Sequence, residues 1–522
     1  MVKRFKLTPL LSAALGCAAA FYGLAFLYRS GFLGPGAVLF VQFLPVPALC
    51  FFRSLNMLPL SVLPAGTGRR FAGLAGFHIA AFSAGLALGL GAGGTIPREN
   101  SYGLPPESVR GLSGVLLEDP RLLTGGRAGA VLSLRESLGD RETRVSAKGS
   151  VPVYFPAEAG GRLREFGRGT SIFVEGRLAG YKDKEGPANA GGGFFIAESL
   201  HIVKPASALE RFRTGLRLSL TGRFTRASPE FSLFGRPLRG GWGGLSLALL
   251  LGIRDNLDSG LAALYRDAGC SYVLALSGMH LAVLAALISF LLKKPLGLKF
   301  SALAGACLVL LYCFLVGSLP SLNRAVLMYL LAVLAIVGTL PRKPFSLLSL
   351  AFLIQLVFSP REGGSISFIL SYLALAGILS VGEALCDAFP GKIPEGVLKP
   401  LSASVGAFLV TAPVTVYFFG SLRPIGIITG LAVVPLTSLF MIGSLAWLFL
   451  DLFSPALSGF LSPPLSLLYS LMEKIVSLAA RAPGFSKTPL VPVTLLSLAL
   501  AVFIMGLAVK LRIKRKRLLS FA

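Results

Sequence analysis

In an otherwise apolar chain, the side chains with most chemical capacity are Ser277 and His280, in the run Leu274-Ala275-Leu276-Ser277-Gly278-Met279-His280. Ser277 and His280 stand three apart, so on a helix they share a face. That spacing permits two readings. The pair locks neighbouring helices by a hydrogen bond, or it lines a hydrated passage, since ionisable groups at membrane depth usually face water or a substrate path. Arg324, after Asn323, opens another apolar run. It serves there either as an anchor that snorkels to water or as a phosphate contact at a pore mouth, for which its planar fork is suited. Ser367 and Ser371 lie four apart in a further apolar run, and Asp451 and Glu473 near run ends, where solvated caps account for them. The chain's three histidines, His78, His201 and His280, are dispersed, and no HxHxDH run is present. A two-metal hydrolase site cannot be assembled from them, so no catalytic residue, metal or cofactor is expected.

The elements that carry these residues are set by composition. The chain has 522 residues, 54% of them hydrophobic and 14% charged, with a mean hydropathy of +0.74. Soluble chains carry roughly 25% charged residues. Several stretches run for about 20 apolar residues, the length that crosses a bilayer core of roughly 30 Å as a helix. The fold class expected is a polytopic α-helical membrane protein of about 12 spans, interrupted by one polar, Gly-rich segment. The partition is 1–97, N-terminal transmembrane helices with runs at 7–29, 32–52 and 71–96; 98–205, a β domain; 206–265, an Arg-rich amphipathic connector with interfacial helices; 266–510, the main transmembrane domain; and 511–522, a basic tail.

Orientation follows from basic loops. Lys3, Arg4 and Lys6, then Arg53, Arg69 and Arg70, place the N-terminus and the second loop inside, which leaves 98–240 outside. Lys293 with Lys294, Arg342 with Lys343, Lys392 with Lys399 and the Lys510–Arg517 cluster fall inside if spans alternate. A multi-pass protein of the cytoplasmic (inner) membrane with both termini cytoplasmic is expected.

Between 98 and 205 the periodicity changes to short runs at 112–118, 128–135, 145–155, 171–178 and 194–203, separated by Asp119-Pro120, Gly125-Gly126 and Gly160-Gly161. Five such strands predict a small all-β, OB-like barrel, because closure removes exposed edges. No cysteine falls between 98 and 240, so this domain relies on its own core. Among its aromatics, Tyr154, Phe155, Phe173 and Tyr181 are candidates for stacking on bases, although alternating aromatics in a small barrel also serve as core. The formal net charge is +26, part of which is positive-inside retention. Locally, 206–240 carries seven arginines against Glu210 and Glu230. Arg211, Arg213 and Arg217 there are candidates for DNA phosphates or for anionic lipid headgroups. Phe212, Leu216 and Leu220, at i, i+4 and i+8, give that segment an amphipathic helix.

The Ser277-Gly278-Met279-His280 block, preceded by Leu249-Leu250-Leu251-Gly252 and a charged helix, resembles the signature of the ComEC competence family. Gly317 through Met328, the Ser367–Tyr372 block, and Ala412-Pro413 through Gly420 with Val434-Pro435-Leu436 agree with it. Gly114 through Pro120 is similar to the opening strand of that family's OB domain. The resemblance departs at Gly430, where family members often carry Asn. It also departs at the C-terminus, where many relatives continue into a metallo-β-lactamase-like domain.

The resemblance implies a channel that passes single-stranded DNA across the cytoplasmic membrane in natural transformation. Its partners would be a membrane-anchored DNA receptor, a cytoplasmic helicase-like ATPase and a separate nuclease, besides membrane lipid and possible homo-oligomers. No GxxxxGK[ST] run is present, so energy must come from a partner. Two rivals remain open. One is a transporter of another envelope polymer or ion, for which intramembrane carboxylate relays are expected and none is evident. The other is a membrane scaffold with a protein-binding OB domain.

Overall fold

The computed structural model describes residues 102–520 except 123–127, 140–142, 157–166, 180–192, 228–231, 234–235, 238–240, 318, 341–342, 390–392 and 487–489. The three spans expected within 1–97 and Tyr181 lie outside the described residues.

Alternating burial along 109–204 builds seven strands: β1 (Val109–Leu116), β2 (Arg121–Leu122), β3 (Ala128–Gly139), β4 (Arg144–Ser146), β5 (Ser150–Phe155), β6 (Ser171–Ala179) and β7 (Phe194–Lys204). Five of them close on themselves in the order β1-β3-β5-β7-β6-β1, with every pair antiparallel except β5–β7. Closure is the reason a short, cysteine-free segment holds its shape: each ring strand pairs on both sides, so inward residues can fill one core. Leu112, Leu116, Leu132, Val151, Val153, Phe155, Ile172, Val174 and Phe195 form that core. The run expected at 145–155 is split, because Gly149 takes φ 121° between β4 and β5.

A helix, α1 (Ala208–Arg226), leads out of the barrel, capped by Ser207, whose Oγ accepts from the Glu210 amide at 3.3 Å. It forms as its composition predicts, but the stripe that hydrophobic spacing indicates is buried only in its second half, where Leu220 packs against the helical core. Phe212 and Leu216 are exposed, whereas Arg213, Thr214 and Phe224 are buried. Next come α2 (Trp242–Leu251), α3 (Ser259–Asp267) and α4 (Ser271–Leu274). All ten residues of α2 are buried, so this helix of the expected connector is part of the helical core.

The following stretch, α5 (Gly278–Val316), is 39 residues long and is not straight. Gly297 takes φ 71° and ψ 176°, two residues after Pro295. Leu281 and Val316, which a straight helix would hold about 50 Å apart, share one buried cluster. α5 is therefore an antiparallel hairpin whose two legs are each about 28 Å long. Exposed Lys293, Lys294 and Lys299 flank its turn.

Beyond it run α6 (Pro320–Val337), α7 (Pro344–Phe358), the short α8 (Pro360–Gly363), α9 (Ile366–Ala388, with a π turn at Ile378–Gly382), α10 (Glu395–Phe419), α11 (Gly426–Phe453), α12 (Ser462–Ala480) and α13 (Leu490–Ser520). Among the described residues, five helices, α5, α9, α10, α11 and α13, are long and apolar enough to cross a membrane. The shorter α2, α6 and α7 are apolar as well. α9 and α10 approach at backbone contact: a Cβ on Gly406 would stand 2.6 Å from the Gly377 carbonyl oxygen. Small residues at such crossings let helices pack closely where no hydrophobic effect drives them together.

Candidate functional site

Two places gather the polar side chains, one on the barrel and one at the head of the hairpin. On the barrel, cross-strand pairing sets Glu136, Ser113, Phe173 and His201 in one row across β3, β1, β6 and β7. The Phe173 ring lies over Gly111, with its Cζ 3.1 Å from where a Cβ would be, so the missing side chain makes the ring's seat. Arg135, Arg144 and Val203 complete an open groove of about 400 Å³ around it. Of the aromatics named from sequence, Phe173 is half-buried here. Tyr154 is exposed and meets Phe194 edge-on at 5.4 Å elsewhere on the barrel. Phe155 is 2% exposed, so it is a core residue and is withdrawn as a stacking platform. His201, Arg135 and Arg144 escaped notice because only the strand register brings them to Phe173.

α1 fastens the barrel to the helices. Arg213, 2% exposed, donates from Nη2 to Asp119 Oδ1 at 2.6 Å and from Nε to Glu210 Oε2 at 2.6 Å. Arg217 Nη1 donates to the Val316 and Leu315 carbonyls at 2.5 and 3.3 Å, and lies 3.4 Å from Asp119 Oδ2. Those carbonyls end the second leg of α5, where cationic side chains are favoured by the helix dipole. Further along, Arg223 pairs with Asp451 at 2.7 Å. Asp451 is thus an ion-pair partner rather than the solvated cap its position indicates. Of the three arginines proposed for phosphate, Arg213 and Arg217 are engaged in this strap, and Arg211 is exposed.

At the head of α5, Ser277 is the N-cap. Its Oγ accepts from the Met279 amide at 3.4 Å, and its own amide donates to His280 Nδ1 at 3.2 Å, a reciprocal box that satisfies two orphan groups at once. The Ser277–His280 pair is therefore bonded within its own turn. His280 is 1% exposed, and among the described residues its Nε2 meets no hydrogen-bond partner. The ring borders a small apolar cavity of about 90 Å³ between α1, α2, α5 and α11.

Across from Gly278 lies Arg324, in the first turns of α6. α6 starts beside α5 because Ser321 Oγ donates to the Leu276 carbonyl at 2.8 Å. A Cβ on Gly278 would come within 3.2 Å of Arg324 Nη2, so glycine admits the guanidinium to the helix end. Arg324 is 8% exposed. Its Nε donates to Ser371 Oγ on α9 at 2.7 Å, Nη1 reaches Met328 Sδ at 3.8 Å, and its carbon sits 5.8 Å from the Tyr372 ring centre. Among the described residues no carboxylate lies within ion-pair distance of it.

The nearby acid, Glu362, is held by neutral groups instead. Asn323 Nδ2 donates to it at 3.0 Å and Gln355 Nε2 at 2.7 Å, while Tyr372 hydroxyl donates to Gln355 Oε1 at 2.9 Å. The structure thus brings Gly278, Asn323, Arg324 and Ser371 together with Glu362, Gln355 and Tyr372. Ser367 is exposed one turn before Ser371. A lone amide in an apolar run, Gln355, was the available signal for the second group.

Gly430, the departure noted above, has a local cause: the space a Cβ would fill is taken by the Tyr272 hydroxyl.

Residues 249–513, half of the chain, match the family described as "Competence protein". An uncharacterized protein of Aquifex aeolicus (strain VF5) is 33% identical over 218 residues, which are 41% of this chain and 49% of that protein. The chain spans about half the length of the curated relative it matches.

Proposed function

Since this chain belongs to the competence protein family, whose role is DNA uptake in natural transformation, we propose that it conducts single-stranded DNA across the cytoplasmic membrane, with 98–240 facing outward. The observation that carries this is the barrel groove, where one accessible aromatic ring stands among two guanidinium groups, an imidazole and the single carboxylate of Glu136. A single strand is bound without sequence reading when bases stack on aromatic faces and cations track the phosphates. The ring order and the lone parallel pair β5–β7 support an OB-type barrel, a fold whose open face takes oligonucleotides. α1 then hands the strand to the helices, because the same helix binds the barrel through Asp119 and the end of α5 through Arg217.

Within the helices a polyanion needs weak, repeated contacts along a hydrated path, since one tight site would trap it. Ser277 and His280 hold the end of α5 in shape, and Gly278, Asn323, Arg324 and Ser371 face the entering strand. A membrane-anchored receptor, a helicase-like ATPase and a nuclease on other chains complete the process. The test is binding of fluorescent 20-nucleotide strands to the full chain in lipid nanodiscs. Single strands bind in preference to duplex, and Phe173→Ala with Arg144→Ala abolishes the preference. Equal binding of both nucleic acids, unchanged in the double variant, would remove the groove's role.

A further inference from the structure

We propose that the head of α5 and Arg324 form a site for one phosphodiester of the moving strand, held by the Gly278 amide, the Arg324 guanidinium and Ser371 Oγ. The inference rests on the conduction reading above and gives it an atomic contact. Two independent observations meet here. The first is a buried cation that, among the described residues, has no carboxylate within ion-pair distance. Arg324 is 8% exposed, and its partners are one hydroxyl, one thioether and one aromatic face. An unpaired charge in such surroundings is costly, so the site is completed by an anion. The second is the helix terminus. The Ser277 cap engages Met279 and His280, and among the described residues the Gly278 amide meets no acceptor, at the positive end of a leg about 19 residues long. Helix N-termini and guanidinium forks both suit phosphate oxygens.

A phosphodiester matches the charge balance, because it carries one negative charge against one guanidinium. Glu362 sets an upper limit on affinity. It is held by Asn323 and Gln355, and its field opposes a second anion. A contact that binds one diester and resists more allows a strand to advance. A strand is favoured over a lipid headgroup because Arg324 is enclosed between α5, α6 and α9 and not spread on an outer face.

The experiment follows thermal unfolding of the full chain in nonionic detergent, titrated with dimethyl phosphate at constant ionic strength. It is repeated with hexathymidylate in a Phe173→Ala background, which removes stacking on the barrel, and with phosphatidylglycerol. Dimethyl phosphate and hexathymidylate raise the midpoint of the wild type, and Arg324→Gln raises their half-saturating concentrations at least ten-fold. Arg324→Lys, which keeps charge but loses the fork, gives an intermediate rise and covers the case in which Arg324→Gln does not fold. Glu362→Gln lowers the half-saturating concentration. Titrations identical in wild type, Arg324→Lys and Arg324→Gln overturn the site, and an Arg324-dependent response to phosphatidylglycerol alone overturns the strand as its ligand. An Arg324-dependent diester response with unchanged strand uptake by Arg324→Gln cells upholds the site and defeats the conduction reading instead.

Discussion

Replacing Asp119 by Ala tests the strap between barrel and helices. Asp119 is the one barrel carboxylate on Arg213, whose side chain is 2% exposed, and it also accepts from the Arg168 amide at 3.0 Å. Breaking a buried pair by removing one partner costs about 3–5 kcal/mol. Glu210 remains on Arg213, and Asp119 is itself about one-fifth exposed. Halving the figure for those two reasons gives about 2 kcal/mol. At about 2–4 °C per kcal/mol for a unit of this size, the melting midpoint should fall by about 4–8 °C.

The reporter is built in. The chain has two tryptophans, Trp242 on α2 and Trp447 on α11, packed 5.2 Å apart, and Phe224 of α1 lies 5.1 Å from Trp447. Release of α1 exposes both indoles and shifts their emission to the red. Asp119→Ala, Arg213→Ala and the double variant form a cycle whose coupling should be about 2 kcal/mol. Additive effects, or an unchanged midpoint in Asp119→Ala, would refute the strap.

Three further outcomes are expected. Gly406→Leu should keep α9 and α10 apart, since even a Cβ there stands 2.6 Å from the Gly377 carbonyl, and the full chain should be recovered from membranes at much reduced yield. Gly430→Asn should lower the melting midpoint by the equivalent of about 1–3 kcal/mol through overpacking against the Tyr272 hydroxyl, and most of that loss should vanish in a Tyr272→Phe background. Phe173→Ala should weaken single-strand binding by about 1–3 kcal/mol at every salt concentration, whereas Arg144→Ala should flatten the salt dependence by about 0.7 in log–log slope. Titrations of labelled strand across a salt series separate these two effects.

Much of this fold was legible because it depends on local pattern. Strand edges at 128, 171 and 194 follow from period-two alternation, and the end of the first leg of α5 from Lys293-Lys294, whereas the reversal at Gly297 shows only in the structure. Ser277 and His280 were legible as a pair, since their bond closes within one turn. What periodicity could not supply is partnership across the chain. The buried face of α1 at its start is set by Asp119, 94 residues before Arg213, and not by Phe212 and Leu216, whereas Leu220 packs against the helical core. Phe173 was singled out as an aromatic, but its seat on Gly111 and its neighbour His201 come from register. Glu362 was passed over for the same reason, because Asn323 and Gln355 meet it from two other helices.

The central claim is that a DNA strand passes through this chain, and it is tested most directly by nuclease-resistant uptake of end-labelled DNA, counted per inserted molecule, in cells deleted for the chain and complemented with it. Uptake is expected to be absent in the deletion, restored by the wild type, and sharply reduced per molecule by Arg324→Gln at normal membrane abundance. Deletion cells that internalise the label as efficiently as their parent would contradict the account.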